Sequence, residues 1–331
     1  MSGKSSKCEL NVINKITQEN DILSARYSND GNEIFAGSIN GEICRYESRT
    51  LKLLSAYTDD DMSGNNNPVT SVTPLVQSSE KFLTSHANGW VKVWDIQSGN
   101  CVLTIRERAQ IMAVVPHPKR DRLVTLSEDA RIRLYDSNSG QLTMTFENSY
   151  TKEKMTGHDS KIFAAKFHPK QINEFISGGW DDTVQFWDMR KQNSIRYFAG
   201  AHICGDGLDI DPAGDMVLTC AYQANNSCRI WSYNTAKLYM DISTETSRLY
   251  CGKYIGQKFL MTGGSDPCLV RIINLFTFGT LATYKSPQLG VYSLDSFRRG
   301  EKKDTILNHK IIMASGNVLT ELEVRYTYTI S

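Results

Sequence analysis

Short runs of alternating apolar and polar residues, separated by tight turns, distinguish the stretch from residue 157 to residue 199. Four such runs are present, at residues 162–167, 174–177, 184–187 and 194–198. Alternation with a period of two places one face of a strand against a core and the other face toward more polar surroundings. His168-Pro169 and Gly178-Gly179 interrupt the alternation where turns are needed. The pattern predicts four short antiparallel strands.

The same unit recurs along the chain. A large aromatic or apolar residue closes the third strand of each unit, at Tyr46, Trp94, Tyr135, Trp187, Trp231 and Ile273. The first five are preceded, six positions earlier, by Asp or Asn, which favour tight turns because their side chains bond nearby backbone N–H groups. The sixth unit fits with a shift of one residue, at Asp266. Spacing close to roughly 40 to 45 residues is typical of the blades of a propeller.

Residues 157–190 resemble a complete WD repeat, because a Gly-His pair, a strand serine, a turn aspartate and a Trp-Asp pair follow that family's spacing. These residues are Gly157-His158, Ser177, Asp181 and Trp187-Asp188. The resemblance implies an all-β, seven-bladed propeller with four-stranded antiparallel blades. We therefore expect the chain to be a WD-repeat β-propeller.

In WD propellers the residues matching His158, Ser177, Asp181 and Trp187 form a buried hydrogen-bond chain. Each member has the donor or acceptor that its neighbour needs. An Asp, a His and a Ser could also suggest a hydrolase triad, but Ser177 lies in mid-strand with no nucleophile elbow around it. We expect these four residues to be structural.

The other units carry parts of this pattern. A hydroxyl residue occurs at the serine position in four of them, at Thr84, Thr125, Thr219 and Thr262. Gly200-Ala201-His202 resembles a Gly-His pair with one residue inserted, which predicts an altered network in blade five. Blades one, two, three and six lack a recognisable Gly-His pair. We expect those blades to be held mainly by apolar packing between strands.

Ring closure follows from the two ends of the sequence. The predicted blades cover approximately residues 21–57, 68–106, 109–147, 158–199, 202–243, 247–285 and 289–326. The seventh has only three strands, whereas residues 8–17 form a strand with no blade of its own. Pairing this strand with the seventh blade would leave no exposed sheet edge. No Gly/Ser-rich or Pro-rich linker divides residues 1–331, which favours a single domain.

Composition and charge narrow the classes of partner. The 37 Lys and Arg residues nearly balance 36 Asp and Glu residues, giving a net charge of +1. The basic residues within 298–304 are diluted by Glu301 and Asp304, so we expect no specific nucleic-acid binding. No apolar run approaches the length of a membrane span, and the amino terminus has no apolar segment typical of a signal peptide.

The eight cysteines include no Cys-x-x-Cys pair and read as thiols rather than zinc ligands or disulfides. Because free thiols persist in a reducing compartment, we expect the protein in the cytoplasm, with the nucleus as the alternative. No phosphate-cradling loop, His-Glu-x-x-His sequence or other catalytic pattern is present. Gly205-Asp206-Gly207 is interpreted as the loop entering blade five. We expect no cofactor, no metal and no enzymatic activity.

The resemblance implies a rigid scaffold that binds other proteins or peptides through the loops of one face. Aromatic and polar residues in or beside those loops are the candidate partner-binding residues, namely Trp180, Trp90, His202 and Tyr222. The inserted segment 148–156 is either an arm that binds a partner or a surface loop without a binding role.

A second function also has support. Residues 187–190 resemble the Trp-Asp-x-Arg box of substrate receptors for cullin-RING ubiquitin ligases, in which Arg190 would contact the adaptor from the opposite face. The pairs Trp94-Asp95 and Tyr135-Asp136 are not followed by Arg at the required position. The alternative partner is therefore a ubiquitin-ligase adaptor.

Overall fold

A computed structural model describes residues 5–59, 61, 67–149, 156–244, 247–265, 267–286, 289–298 and 306–329. Asp266, residues 299–304 of the basic segment and residues 150–155 of the insertion lie outside the described residues. The described strands form seven sheets, each of four strands. All neighbouring strands within a sheet are antiparallel, for example in blade four.

The strands follow one another in chain order within six of the sheets, from the first strand to the outermost. The amino-terminal strand is β1 (Ser5–Thr17), and blade one contains β2 (Ile22–Tyr27), β3 (Glu33–Ser38), β4 (Ile43–Glu47) and β5 (Leu53–Tyr57). Blade two contains β6 (Val69–Pro74), β7 (Lys81–His86), β8 (Trp90–Asp95) and β9 (Cys101–Arg106). Blade three contains β10 (Ile111–Pro116), β11 (Arg122–Ser127), β12 (Ile132–Asp136) and β13 (Leu142–Phe146).

The second half repeats this order. Blade four contains β14 (Ile162–Phe167), β15 (Glu174–Gly179), β16 (Thr183–Asp188) and β17 (Arg196–Ala199). Blade five contains β18 (Leu208–Ile210), β19 (Met216–Cys220), β20 (Cys228–Ser232) and β21 (Leu238–Ile242). Blade six contains β22 (Arg248–Ile255), β23 (Phe259–Ser265), β24 (Leu269–Asn274) and β25 (Thr280–Lys285). Blade seven contains β26 (Val291–Arg298), β27 (His309–Ser315) and β28 (Val318–Thr329), with β1 as its fourth strand.

The first strand of each sheet packs against the first strand of the next sheet. These contacts run from β2 through β6, β10, β14, β18, β22 and β26, and β26 contacts β2 again. The seven sheets therefore surround one axis as a closed ring, which confirms the predicted seven-bladed propeller. We call the face where these inner strands begin the upper face and the face where they end the lower face.

The amino-terminal strand closes the ring. Strand β1 pairs with β28 from Ser5↔Thr329 to Thr17↔Val318, with one irregularity between Val12 and Asn14. Behind this pairing, Glu321 is fully buried in blade seven and accepts hydrogen bonds from Tyr27 Oη at 2.9 Å and Ser48 Oγ at 2.7 Å in blade one. The predicted closure of the last blade by the N-terminal strand is thus confirmed.

The hydrophobic core lies between neighbouring sheets rather than at the axis. Between blades one and two, Phe35 stacks on Phe82 at 4.5 Å, and Tyr57 meets Phe82 edge-on at 4.8 Å. Aromatic pairs in such geometries stabilise a core beyond the area that they bury. The only helical element among the described residues is the 3-10 turn Ile306–Asn308, so none of them forms a helix that could cross a bilayer.

Candidate interaction face and axial cavity

The four signature residues of blade four lie in one buried hydrogen-bond chain. Asp181 Oδ2 lies 2.7 Å from His158 Nδ1, and His158 Nε2 lies 2.7 Å from Ser177 Oγ. Trp187 Nε1 donates to the same Ser177 oxygen at 2.7 Å. Burial raises the pKa of Asp181, but donation from His158 and Thr183 outweighs it and holds the pKa below the usual value. With every member almost fully buried, the chain fits a structural role.

Trp180 lies on the upper face, in the turn between β15 and β16. It is 44% exposed, and its ring stacks between Phe163 at 5.4 Å and His202 at 6.1 Å. The indole Nε1 donates to Cys204 Sγ at 3.1 Å, and Lys161 Nζ lies 5.4 Å from the ring centroid. The indole is thus fixed on both sides yet remains accessible.

Three tyrosines continue this aromatic surface. Tyr222, in the turn after β19, packs against Tyr250 at 4.8 Å, and Tyr250 meets Tyr292 edge-on at 5.2 Å. Arg248 lies 5.6 Å above the Tyr222 ring. We use the term aromatic arc for these tyrosines together with Phe163, Trp180 and His202.

A cavity of about 340 Å³ lies on the propeller axis. Its walls come from six inner strands and from residues 204–206, which precede β18. Phe163, Cys204, Tyr250 and Tyr292 all line it. Because three of these residues belong to the aromatic arc and Cys204 contacts Trp180, the cavity is continuous with the upper face.

Charged side chains from five blades meet around this cavity. Arg26 pairs with Asp206, Lys253 Nζ lies 3.5 Å from Asp206 and 3.0 Å from Asp295, and Lys166 Nζ lies 2.9 Å from Asp209. Burial raises the pKa of Asp206, but attraction from Arg26, Lys253 and Lys166 outweighs it and lowers the pKa below its usual value. The carboxylate of Asp206 is therefore ionised at neutral pH.

The segment Gly205-Asp206-Gly207 does more than lead into blade five. A Cβ at Gly205 would lie 2.6 Å from the Tyr250 carbonyl oxygen, and one at Gly207 would lie 2.1 Å from the Cys220 carbonyl oxygen. Only glycine permits this approach, which presses the segment against the axis and brings Asp206 into the cavity wall. The described residues include no group of three or more His, Cys, Asp or Glu side chains placed to hold a metal ion.

Comparisons with known proteins agree with this architecture. The family model described as WD domain, G-beta repeat matches residues 149–188, which contain the hydrogen-bonded signature of blade four. The chain thus carries a match to the WD repeat in blade four and resembles the WD-repeat family. Among its relatives, protein tipD of Dictyostelium discoideum is 25% identical over 202 residues, covering 60% of this chain and 31% of that protein.

Two further relatives match different shares of this chain. Pre-mRNA-processing factor 19 of Oryza sativa subsp. japonica is 24% identical over 271 residues, covering 78% of this chain and 47% of the relative. Ribosome biogenesis protein YTM1 of Scheffersomyces stipitis is 30% identical over 105 residues, covering 32% of this chain and 22% of the relative. The matched regions thus span less than half the length of these three proteins.

Other blades of the propeller build the buried hydrogen-bond chain from different residues. In blade two, Trp94 Nε1 donates to Thr84 Oγ1 at 2.9 Å, and His86 Nε2 lies 2.9 Å from the same hydroxyl. In blade five, Trp231 Nε1 donates to Thr219 Oγ1 at 2.9 Å. Blade two thus takes its histidine from the second strand instead of from a Gly-His pair.

Blade three replaces the histidine with a buried glutamate. Glu107 accepts hydrogen bonds from Thr125 Oγ1 at 2.5 Å, Tyr135 Oη at 3.0 Å and Arg133 at 2.7 Å. Burial raises the pKa of Glu107 despite these donors. The expectation that blades two and three rest mainly on apolar packing was therefore incomplete. The position of Glu107 in the sequence could have identified it. Glu107 precedes β10 by four residues, as His158 precedes β14.

Two expected network members occupy other environments. His202 Nδ1 lies 2.6 Å from Asp182 of blade four, so the insertion in its Gly-His pair turns the ring away from Thr219. The Thr262 hydroxyl is buried without a hydrogen-bond partner among the described residues. Ile273, which occupies the Trp position and pairs with Leu260, has no side-chain N–H group to donate to that hydroxyl.

The last two candidate residues lie away from the aromatic arc. Trp90 is half-buried on blade two, with Lys92 5.0 Å and Arg106 5.3 Å from its ring. Arg190 follows β16 on the lower face, where its guanidinium donates to both oxygens of Asp188 at 2.8 and 2.6 Å. The structure thus brings Trp180, His202 and Tyr222 together in the aromatic arc, and places Trp90 at the start of β8 in blade two and Arg190 on the lower face.

Proposed function

We propose that this WD-repeat chain is a non-catalytic protein-interaction platform that binds partner proteins of a multiprotein complex through the aromatic arc. The observation that carries the proposal is the accessible Trp180 indole, held between Phe163 and His202. Trp and Tyr are the residue types that most often dominate the binding energy of protein interfaces.

The fixed position of Trp180 supports this role. Association is weakened by the entropy lost when interface side chains are ordered. In this structure the indole is already stacked on two rings and hydrogen-bonded to Cys204, so a partner would restrict it little further. Tyr222 is held similarly against Tyr250.

The relatives give independent support for a scaffold. Two of them are named for pre-mRNA processing and for ribosome biogenesis, which supports a role within a multiprotein complex. The burial of His158 and Ser177 also supports a non-catalytic role, because a nucleophile and its base must reach a substrate.

Replacing Trp180 with Ala tests the proposal. Tagged wild type and Trp180→Ala would be compared in cells by affinity purification and quantitative mass spectrometry, with Tyr239→Ala as a matched control. Tyr239 is 58% exposed on the outermost strand β21, away from the arc. We expect partners to be lost only from Trp180→Ala, at an unchanged unfolding temperature. Partners retained by a folded Trp180→Ala variant would contradict the proposal, and an unfolded variant would make Trp180 a structural residue.

We also propose a reducing compartment, the cytoplasm or the nucleus, as the site of action. All eight cysteines lie among the described residues as thiols, without a disulfide between them, which supports such a compartment. Imaging of a fluorescent fusion, together with cell fractionation, tests this proposal.

A further inference from the structure

The axial cavity presents more cationic than anionic groups to its interior. Arg26, Lys166 and Lys253 all line it, but among the described residues Asp206 is the only carboxylate that does so. The charges of the surrounding cluster balance as a whole, yet the groups that face the cavity do not. A low-dielectric enclosure of this kind favours an incoming anion over a cation.

The other two carboxylates are held in the wall by backbone amides. Asp209 accepts hydrogen bonds from its neighbour Ile210 N at 3.0 Å and from Tyr254 N at 2.9 Å. Asp295 accepts one from Tyr27 N at 2.9 Å. Because strands β22 and β2 provide these amides, neither carboxylate can turn into the cavity without leaving a buried N–H group unpaired.

Lys166 is the cation best placed to meet a ligand. Its side chain is 42% exposed, compared with 13% for Arg26 and 16% for Lys253. Arg26 donates to three neighbouring oxygens besides Asp206, namely Ala25 O, Ser293 Oγ and Leu294 O. Within the described residues, Lys166 Nζ pairs with Asp209 alone, although an ammonium carries three N–H donors.

We propose that the axial cavity binds an acidic side chain, or the terminal carboxylate, of the protein partner, with Lys166 as the principal donor. This inference rests on the proposed function, because the partner segment that presents the carboxylate would lie on the aromatic arc at the mouth of the cavity. A volume of about 340 Å³ accommodates one side chain with its first atoms of backbone. Phe163 and Tyr250 surround its apolar stem, and the ammonium of Lys166 meets its charge.

Selection of random peptides tests the assignment. Twelve-residue peptides displayed on phage would be selected on the full chain, and each enriched peptide would be synthesised with its acids intact or changed to the matching amides. Affinities would be measured for wild type, Lys166→Met, Lys166→Arg and Trp180→Ala. Lys237→Met, a change at an exposed lysine in the turn before β21, serves as the matched control.

We expect the enriched peptides to contain Asp, Glu or a terminal carboxylate. Changing that acid to an amide should weaken binding to wild type about tenfold, as for loss of one charge-assisted hydrogen bond, and should have no effect in Lys166→Met. Lys166→Arg should restore part of the preference, and Lys237→Met should behave as wild type. Where Lys166→Met fails to fold, Lys166→Gln takes its place.

The outcomes separate this inference from the proposed function. Peptides that need Trp180 but show no acid preference overturn the inference and leave the interaction face intact. Acid-dependent binding that is lost in Lys166→Met but kept in Trp180→Ala supports the cavity and contradicts the role of the arc.

A second measurement needs no peptide. Succinate and inorganic phosphate would be titrated at constant ionic strength while the unfolding temperature is recorded. Succinate should raise that temperature more in wild type than in Lys166→Met, and equal shifts in both proteins would overturn the inference. A larger rise with phosphate than with succinate would overturn the carboxylate assignment.

Discussion

Removing the Asp181 carboxylate should lower the free energy of unfolding by a clearly measurable amount. It accepts hydrogen bonds from His158 Nδ1 at 2.7 Å, Thr183 Oγ1 at 2.9 Å and Thr183 N at 3.1 Å. Asp181→Ala would leave His158 and Thr183 with unpaired donors, and both residues are buried. A stranded buried donor costs about 1 to 3 kcal/mol. Because two residues are affected, we expect a loss of about 3 kcal/mol, at the upper end of that range.

The equivalent turn of blade two provides the control. Asn88 occupies the same position but is exposed, and its side chain accepts only the Trp90 N–H at 3.2 Å among the hydrogen bonds described. Asn88→Ala should therefore cost about 1 kcal/mol or less. Urea denaturation of the three proteins, followed by tryptophan fluorescence, measures the difference from the midpoints at equal m values. Equal losses for Asp181→Ala and Asn88→Ala would refute the argument from buried donors.

The dependence of this difference on pH provides a further check. The pKa of Asp181 is lower in the folded chain than its ordinary value of 3.8, because the hydrogen bonds from His158 and Thr183 outweigh burial. A lowered pKa of a carboxyl group gives stability that is complete above the ordinary pKa and is lost as the pH falls through the folded pKa. We expect the difference between wild type and Asp181→Ala to be constant from about pH 5 to 7 and to decrease below about pH 4.

Three other expectations can be tested with the same material. Deleting residues 1–18 removes β1 and exposes the edge of β28, so the variant should aggregate or unfold. A stable, monomeric product in size-exclusion chromatography would contradict ring closure. Burial raises the pKa of Glu107 above its ordinary value of 4.5, so its contribution to stability is complete below that pH and is lost as the pH rises through the folded pKa. In denaturation experiments, wild type should therefore lose stability relative to Glu107→Gln as the pH rises above 4.5. The ligase-receptor alternative stays a prediction: Arg190→Ala should abolish recovery of adaptor and cullin in affinity purification, and their absence from the wild-type sample would exclude it.

The sequence was sufficient for the propeller because blade formation is encoded locally. Alternation within residues 162–198 predicts the strands of blade four, and the recurring turn residues predict the number of blades. The pairing of β1 with blade seven could also be predicted, since an unmatched strand and a three-stranded blade occur at opposite ends of the sequence. Each inference depends on residues close in sequence or on a simple count.

The candidate site was less accessible to such reasoning. Trp180 and Tyr222 could be identified because they fall in loops, but Phe163, Tyr250 and Tyr292 lie near the starts of inner strands, where an apolar residue ordinarily indicates core. The inward direction of these residues depends on ring closure, which turns one face of every inner strand toward the axis. Aligning the inner strands with one another would have shown that Arg26, Lys166 and Lys253 occupy one register position.

Closure by β1 also determines the order in which the chain can be completed during its synthesis. Strand β1 is synthesised before the other strands of the seven blades, yet its partner β28 begins only at Val318, about three hundred residues later. Blades one to six can form from consecutive strands as they emerge. Until β28 is synthesised, the backbone N–H and C=O groups of β1 have no strand to pair with. The last step of folding is therefore the one with the largest sequence separation, which is the slowest kind of contact to make. A nascent chain halted before residue 318 would hold six assembled blades and a strand available to chaperones or to another chain.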